Sequence, residues 1–374
     1  MTSFLSELAA SLEPYVPGEQ PQDRKYVKLN TNENPYPPSE KVLAAIAGAA
    51  GDLRLYPDPD ATKVRTAAAA YYNHALQLEG ADHLDEDNIF VGNGSDEVLA
   101  FVFPTFFKGK KIAFADVTYS FYPVYSALYE VSYELLPLTE DFSVDVEQYV
   151  SGLGADIQGV LLCNPNAPTG KALLRKDIER ILQANPNRMF VVDEAYVDFG
   201  AESVVSLVNR YENLLVTQTL SKSRQLAGMR VGLAIGSKAL IEGINAVKNS
   251  FNSYSADRLG IAAATAAFED AAYFDETREK IMATRQRTTE ALEALGFDVI
   301  PSGTNFVFAQ PPAFAHGAEE TDAGAMFRQL RADGVLVRYF KKPRIDNRLR
   351  ITIGTDEEMD ALLTSVKKIL LAAQ

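Results

Sequence analysis

In the stretch TLSKSRQLAGMRVG, residues 219–232, Lys222 is followed eight positions later by Arg230, with an apolar run on either side. A lysine at a strand end and withdrawn from water loses part of its preference for the charged form. Its neutral amine can then attack a carbonyl carbon and form a Schiff base. Arg230 offers a planar fork suited to phosphate, and Ser221 adds a hydroxyl beside it. Most lysines are simply solvated, so the chemical reading rests on what else reaches the same place.

Three further stretches point there. In MFVVDEAYVDFG, Asp193 closes an apolar run, the position where open α/β sheets present ligand groups. A carboxylate buried there needs a partner, and a pyridinium nitrogen would suit; capping of the next turn is the alternative. Tyr196, three residues on, can aim its hydroxyl at the same point. In FVGNGSDEVLAFVF, Gly92 and Gly94 permit a tight turn, and Ser95 or Asp96 is expected to cap the helix that follows. Such a helix start is a phosphate seat as well as an ordinary cap. The third glycine of a dinucleotide fingerprint is absent. In LLCNPNAPTGKAL, a buried strand runs into a turn-rich loop from which Asn164 or Asn166 can reach the same crevice.

These groups must be carried by regular elements. Seven short apolar runs lie between residues 88 and 237: NIFVGN, KIAFADV, YELLPL, GVLLCNP, MFVVDEAY, NLLVTQT and VGLAIGS. Near-continuous apolar and β-branched composition marks strands covered on both faces, so a mainly parallel seven-stranded sheet sandwiched by helices is predicted. Helices are expected at 41–50, 62–80 and 256–296. The last hundred residues predict three strands and helices at 321–333 and 356–373, a small α+β domain. The division is therefore an N-terminal arm and small-domain segment over 1–40, a large domain over 41–270 and a small C-terminal domain over 271–374.

Composition narrows the function. Apolar residues make up 47% of the 374, enough for a large core, and 36 basic against 50 acidic residues give a charge of −14. That balance argues against binding nucleic acid or an anionic membrane, while leaving room for a local basic pocket. A single cysteine, Cys163, suits a reducing compartment, and the first twenty residues read as a short amphipathic helix ended by Pro14 and Pro17 rather than a signal peptide. A cytoplasmic location is expected. Three histidines without metal-ligand spacing give a zinc or Ser-His-Asp mechanism little to stand on.

The order GNGSDE, TYSFYP, NPNAPTG, DEAY, TLSKSRQLAGMR and LRITIGT resembles the fold-type I pyridoxal-phosphate aminotransferases of classes I and II. LEPYVPGE, LNTNENPYPPS and LRLYPDPDATKVRTAAA are similar to the histidinol-phosphate aminotransferases among them, over residues 12 to 355. The resemblance implies pyridoxal 5′-phosphate as cofactor, with Lys222 joined to it and moving the proton at the substrate. It implies that Asp193 pairs with the pyridinium nitrogen, Tyr196 bonds the phenolic oxygen and Tyr119 stacks on the ring. Gly94, Ser95, Asp96, Ser221 and Arg230 would hold the phosphate. Tyr56 would reach the neighbouring subunit's phosphate, making the enzyme a homodimer. Arg350 and Arg338 would take the substrate phosphate or carboxylate, with Tyr15 and Asn305 lining that region.

The chain departs from the family at two points. Ala167 stands where the family often has the asparagine that touches the phenolic oxygen, so Asn166 is expected to substitute. Arg224-Gln225 replace an aromatic-glycine pair, which predicts a local surface change. The reaction implied is histidinol phosphate plus 2-oxoglutarate giving imidazole acetol phosphate and glutamate, in histidine synthesis. An aromatic amino-acid aminotransferase or a phospho-amino-acid decarboxylase would share the scaffold.

Overall fold

The computed structural model describes residues 4–317 and 320–373. All seven apolar runs are strands: β1 Ile89–Asn93, β2 Lys111–Ala115, β3 Ser132–Leu136, β4 Ile157–Cys163, β5 Met189–Asp193, β6 Leu214–Thr219 and β7 Val231–Gly236. They form one sheet in the order β1-β7-β6-β5-β4-β2-β3. Neighbours pair in parallel except around β7, which runs against both β1 and β6. Strands β6 and β7 are buried at every position, as helices on both faces require.

The helix predicted over 256–296 is two helices, Arg258–Glu269 and Ala271–Ala294, separated at Asp270. Asp270 leaves helical geometry at φ −108° and ψ 59°, and its carboxylate accepts from Lys41. The alanine-rich pattern runs straight through this point, so periodicity alone could not show the break. The N-terminal helix spans only Glu7–Ser11, capped by the Ser6 hydroxyl.

A second sheet contains β8 Asp298–Ile300, β9 Phe306–Gln310, β10 Arg338–Tyr339 and β11 Leu349–Thr352, all antiparallel in the order β10-β11-β9-β8. The run GVLVRYF, expected as one strand, is divided: Val335–Leu336 pairs instead with Val27–Lys28 near the N-terminus. Helices Asp322–Asp333 and Asp356–Ala372 accompany this sheet, the second opened by a reciprocal Thr355/Glu358 capping box. Arg285, on the helix Ala271–Ala294, donates to the carbonyls of both Phe199 and Thr304, tying the two sheets' surroundings together.

Candidate active site

A cavity of about 320 Å³ opens at the carboxyl ends of β5 and β6, between the two sheets. Asp193, Tyr196, Ser221, Lys222 and Arg230 line it from the large sheet, as do Ser95, Asp96 and Tyr119. Tyr15, Arg338 and Arg350 line the opposite side. Strands of the large sheet end together here, so residues as far apart in the chain as Ser95 and Arg230 converge.

Among the described residues, Lys222 Nζ has one hydrogen-bond partner, the carbonyl of Thr31 at 3.3 Å. Burial lowers its pKa to about 8, helped by the positive charges of Arg350 and Arg230 and opposed by Glu33 and Asp96. Part of its surface stays accessible, because the side chain faces the cavity it lines. Its backbone carbonyl accepts from Asn34, which anchors the lysine to the loop after Lys28.

Asp193 is 4% exposed. One carboxylate oxygen accepts from the Tyr122 hydroxyl at 2.9 Å, and the other, buried, makes no hydrogen bond among the described residues. Burial raises its pKa to about 6, opposed by the Tyr122 hydroxyl and by the nearby Thr217 hydroxyl and Ala195 N–H. A buried, half-satisfied carboxylate on a cavity wall is destabilised until a cation or N–H donor meets it.

The phosphate seat differs in detail from expectation. Neither Ser95 nor Asp96 caps its helix, which begins at Gly94 with Asn93 as the preceding residue and no side-chain cap. The Glu97 carboxylate reaches back to the Asn93 N–H at 2.6 Å instead, which leaves Ser95 inside the first turn. Gly94 sits at φ +83°, and a Cβ there would lie 2.5 Å from the Arg230 guanidinium. Both the backbone angle and the space therefore call for glycine. Arg230 contacts the Asp96 carboxylate loosely at 3.4 Å and the Ser221 hydroxyl at 3.5 Å. Asp96 also accepts from Tyr119, which packs against Phe121 and Tyr122.

Across the cavity, Arg338 and Arg350 are register partners on β10 and β11. Like charges directly opposite in a sheet repel, so an anion between them is the natural complement. Among the described residues neither arginine has a carboxylate within salt-bridge distance; Arg350 donates to the Asn30 carbonyl, and its buried Nε has no partner. Arg338 donates to the carbonyls of Val16 and Pro17 rather than forming a surface ion pair. Tyr15 packs its ring on Phe121 at 4.8 Å.

Several expectations are corrected. Asn166 does not line the cavity: its amide donates to the Val117 carbonyl and Thr169 hydroxyl and accepts from Thr118, so it braces its own loop. Ala167 faces the cavity in its place. Asn305 is fully buried behind the wall and donates to the Asn32 carbonyl. Arg224 is no surface change. It is 4% exposed, its guanidinium lies 4.1–4.3 Å from the rings of Tyr71, Phe268 and Phe274, and it donates to the Ala267 carbonyl. Three aromatic faces and a carbonyl make that burial tolerable for a cation. The expectation for Tyr56 concerns a neighbouring subunit and stands apart from these: the side chain is 78% exposed and stacked on Tyr254, outside the cavity of its own chain.

Sequence reasoning missed Tyr122, Asn32 and the Thr31 carbonyl. Tyr122 lies three residues beyond Tyr119 in the same TYSFYP motif, and the turn-rich NTNENP segment was the signal for the other two.

The residues present fit a pyridoxal phosphate. An orphaned carboxylate oxygen, an amine of lowered pKa and a glycine-lined helix start beside an arginine match, in turn, a ring nitrogen, an aldehyde and a phosphate. The family model for aminotransferase class I and II matches residues 24–366. A histidinol-phosphate aminotransferase 1 of Bordetella parapertussis is 55% identical over 99% of both chains. A histidinol-phosphate aminotransferase of a Marinomonas species is 54% identical over 99% of this chain and all of its own. The crystal structure of the Sinorhizobium meliloti histidinol-phosphate aminotransferase in complex with pyridoxal-5′-phosphate superposes with a TM-score of 0.86, at 26% identity, covering 100% of this chain and 99% of that one. The chain belongs to the class I and II aminotransferases, and within them to the histidinol-phosphate aminotransferase family.

Proposed function

We propose that this chain carries out pyridoxal 5′-phosphate-dependent transamination of histidinol phosphate with 2-oxoglutarate, giving imidazole acetol phosphate and glutamate in histidine biosynthesis. The observation that carries the site assignment is the facing pair at the sheet ends: an amine of depressed pKa and a buried carboxylate with one oxygen unpartnered. The substrate assignment rests on full-length relatives at 54–55% identity that bear that name, which favours it over the aromatic and decarboxylase readings.

The cofactor, when bound, supplies an electron sink for the pair released as the donor's Cα–H bond breaks. Lys222 holds it through Nζ and later carries the proton from the substrate Cα. Its lowered pKa leaves a large neutral fraction near pH 8, as both tasks need. Asp193 would meet the ring nitrogen and hold its proton, with Tyr122 keeping that carboxylate aimed. Tyr196 would donate to the phenolic oxygen, and Tyr119 would flank the ring. Arg230, Ser221 and the N–H groups of Ser95 and Asp96 grip the phosphate. Arg338 and Arg350 take the histidinol phosphate's phosphate in one half-reaction and the glutamate carboxylate in the other. Tyr15 closes that side. The division into segments 1–40, 41–270 and 271–374 belongs to the same proposal: it places this second anion site on the small domain.

Lys222→Ala should abolish the visible absorption of the loaded protein and reduce turnover by at least about a thousandfold. In the unmodified protein, the rate of cofactor capture should rise from pH 7 and level off above about pH 8, as the amine loses its proton. Normal turnover in the variant would refute the lysine's role.

No described helix is long and apolar enough to cross a membrane. The enzyme is read as cytoplasmic, which its single cysteine suits, and as a homodimer, because Leu53, Leu55, Tyr56, Phe251 and Tyr254 are apolar side chains exposed on one chain. Tyr56, stacked on Tyr254, would reach the partner's phosphate. Size-exclusion of the soluble cell fraction should elute the activity at twice 41.0 kDa; elution as a monomer refutes the shared site.

A further inference from the structure

We infer that Asn32 is a positioning residue for this reaction: it donates its amide to the Tyr196 oxygen and so turns the Tyr196 hydroxyl proton into the cavity. The inference rests on the reading that Tyr196 donates to the cofactor's phenolic oxygen.

The argument is one of hydrogen-bond direction. Asn32 Nδ2 lies 2.9 Å from the Tyr196 hydroxyl oxygen, and both groups are buried. Which end of the amide faces the tyrosine is set from behind. The Asn32 N–H donates to Thr352 Oγ1 at 3.0 Å, and the threonine hydroxyl in turn donates to Asn32 Oδ1 at 3.1 Å. With Oδ1 committed to Thr352, the amide nitrogen faces Tyr196. The phenol oxygen then accepts a bond, and its own proton finds no acceptor among the described residues. Tyr196 lines the cavity, so that proton is left for whatever occupies it.

The rest of the surroundings hold Asn32 in this pose. It adopts the left-handed backbone conformation, φ 56°, which asparagine tolerates better than most residues. Its carbonyl accepts from the wholly buried Asn305, whose own carbonyl receives the Ile353 N–H. Asn305, standing behind the wall, thus braces the Asn32 backbone. The arrangement also answers the departure at Ala167. That residue brings a methyl group to the cavity and Asn166 is turned away, so no asparagine amide from this loop stands beside Tyr196 on the wall.

The test replaces the amide with an acceptor. Asn32→Asp keeps the size but accepts from Tyr196, drawing the phenol proton away from the cavity. The readout is the pH midpoint at which the bound cofactor's visible band changes, measured on loaded protein without substrate. A donor to the phenolic oxygen stabilises its deprotonated form, so losing that donor should raise the midpoint by about one unit. Turnover should fall roughly tenfold, with the KM for the amino donor within about twofold of wild type. Tyr196→Phe should shift the midpoint in the same direction, and adding Asn32→Asp to it should change nothing further.

A Tyr196→Phe protein with an unmoved midpoint overturns the reading of Tyr196 itself. A shift in Tyr196→Phe but none in Asn32→Asp overturns only the role of Asn32, as does an additive shift in the double variant. Thr352→Val covers a failure of Asn32→Asp to fold, because it keeps the shape and releases the amide to turn. An upward midpoint in that variant supports the inference, and an unchanged one refutes it.

Discussion

On the large-sheet side of the cavity, Asp193 and Tyr196 are almost fully buried, and each is held by a single aimed partner, Tyr122 and Asn32. On the opposite side, Arg338 and Arg350 stand across from one another with only backbone carbonyls and aromatic rings for company. One side is set up for a ligand of fixed shape that stays, since each side chain is oriented by a partner and keeps an oxygen or a hydroxyl proton free for the cavity. The other suits anions that come and go, because two guanidinium groups beside carbonyls and ring faces accept a phosphate or a carboxylate with little rearrangement. A transaminase must admit two different substrates in turn while keeping one cofactor, and the two sides divide that labour.

The contrast can be broken most severely at Asp193. Asp193→Ala should reduce turnover by on the order of a thousandfold or more and weaken cofactor retention, read by dialysis and absorbance. If the variant lost turnover only tenfold, the large-sheet side would be no more specialised than the other. A smaller effect is expected at Arg350. Arg350→Lys keeps the charge but loses the planar fork, and should raise the KM for both histidinol phosphate and 2-oxoglutarate by roughly ten- to a hundredfold, with cofactor affinity unchanged. A change confined to one substrate would show that the arginines are not shared between the half-reactions.

Much of this was legible in the residues. The seven strands announced themselves because a strand covered on both faces admits few polar residues, and the chemistry sits where those runs stop. The lysine, the acid and the glycine turn were identifiable from their places at strand ends. What escaped was whatever depends on contacts between remote segments. Arg224 is buried by rings from residues 71, 268 and 274, on three separate helices, and nothing in SKSRQ signals that cage. Asn166 was assigned as a substitute for the missing family asparagine and Asn305 by likeness to relatives, and each spends its amide on a nearby backbone carbonyl. The pairing of Arg338 with Arg350 depends on strand register, which the division of GVLVRYF into two short strands obscured.

The reversal of β7 against β6 has an engineering consequence. Because the chain turns back at once, Leu220 N–H reaches the Val231 carbonyl and the ten residues between fold into a closed detour. That detour works as a molecular ruler between a reactive amine and an anion clamp: lengthening it would leave the sheet paired yet separate the two functions. Efforts to retarget this scaffold to other amino donors should hold its length constant and diversify residues 338–345, where the sheet ends in loop.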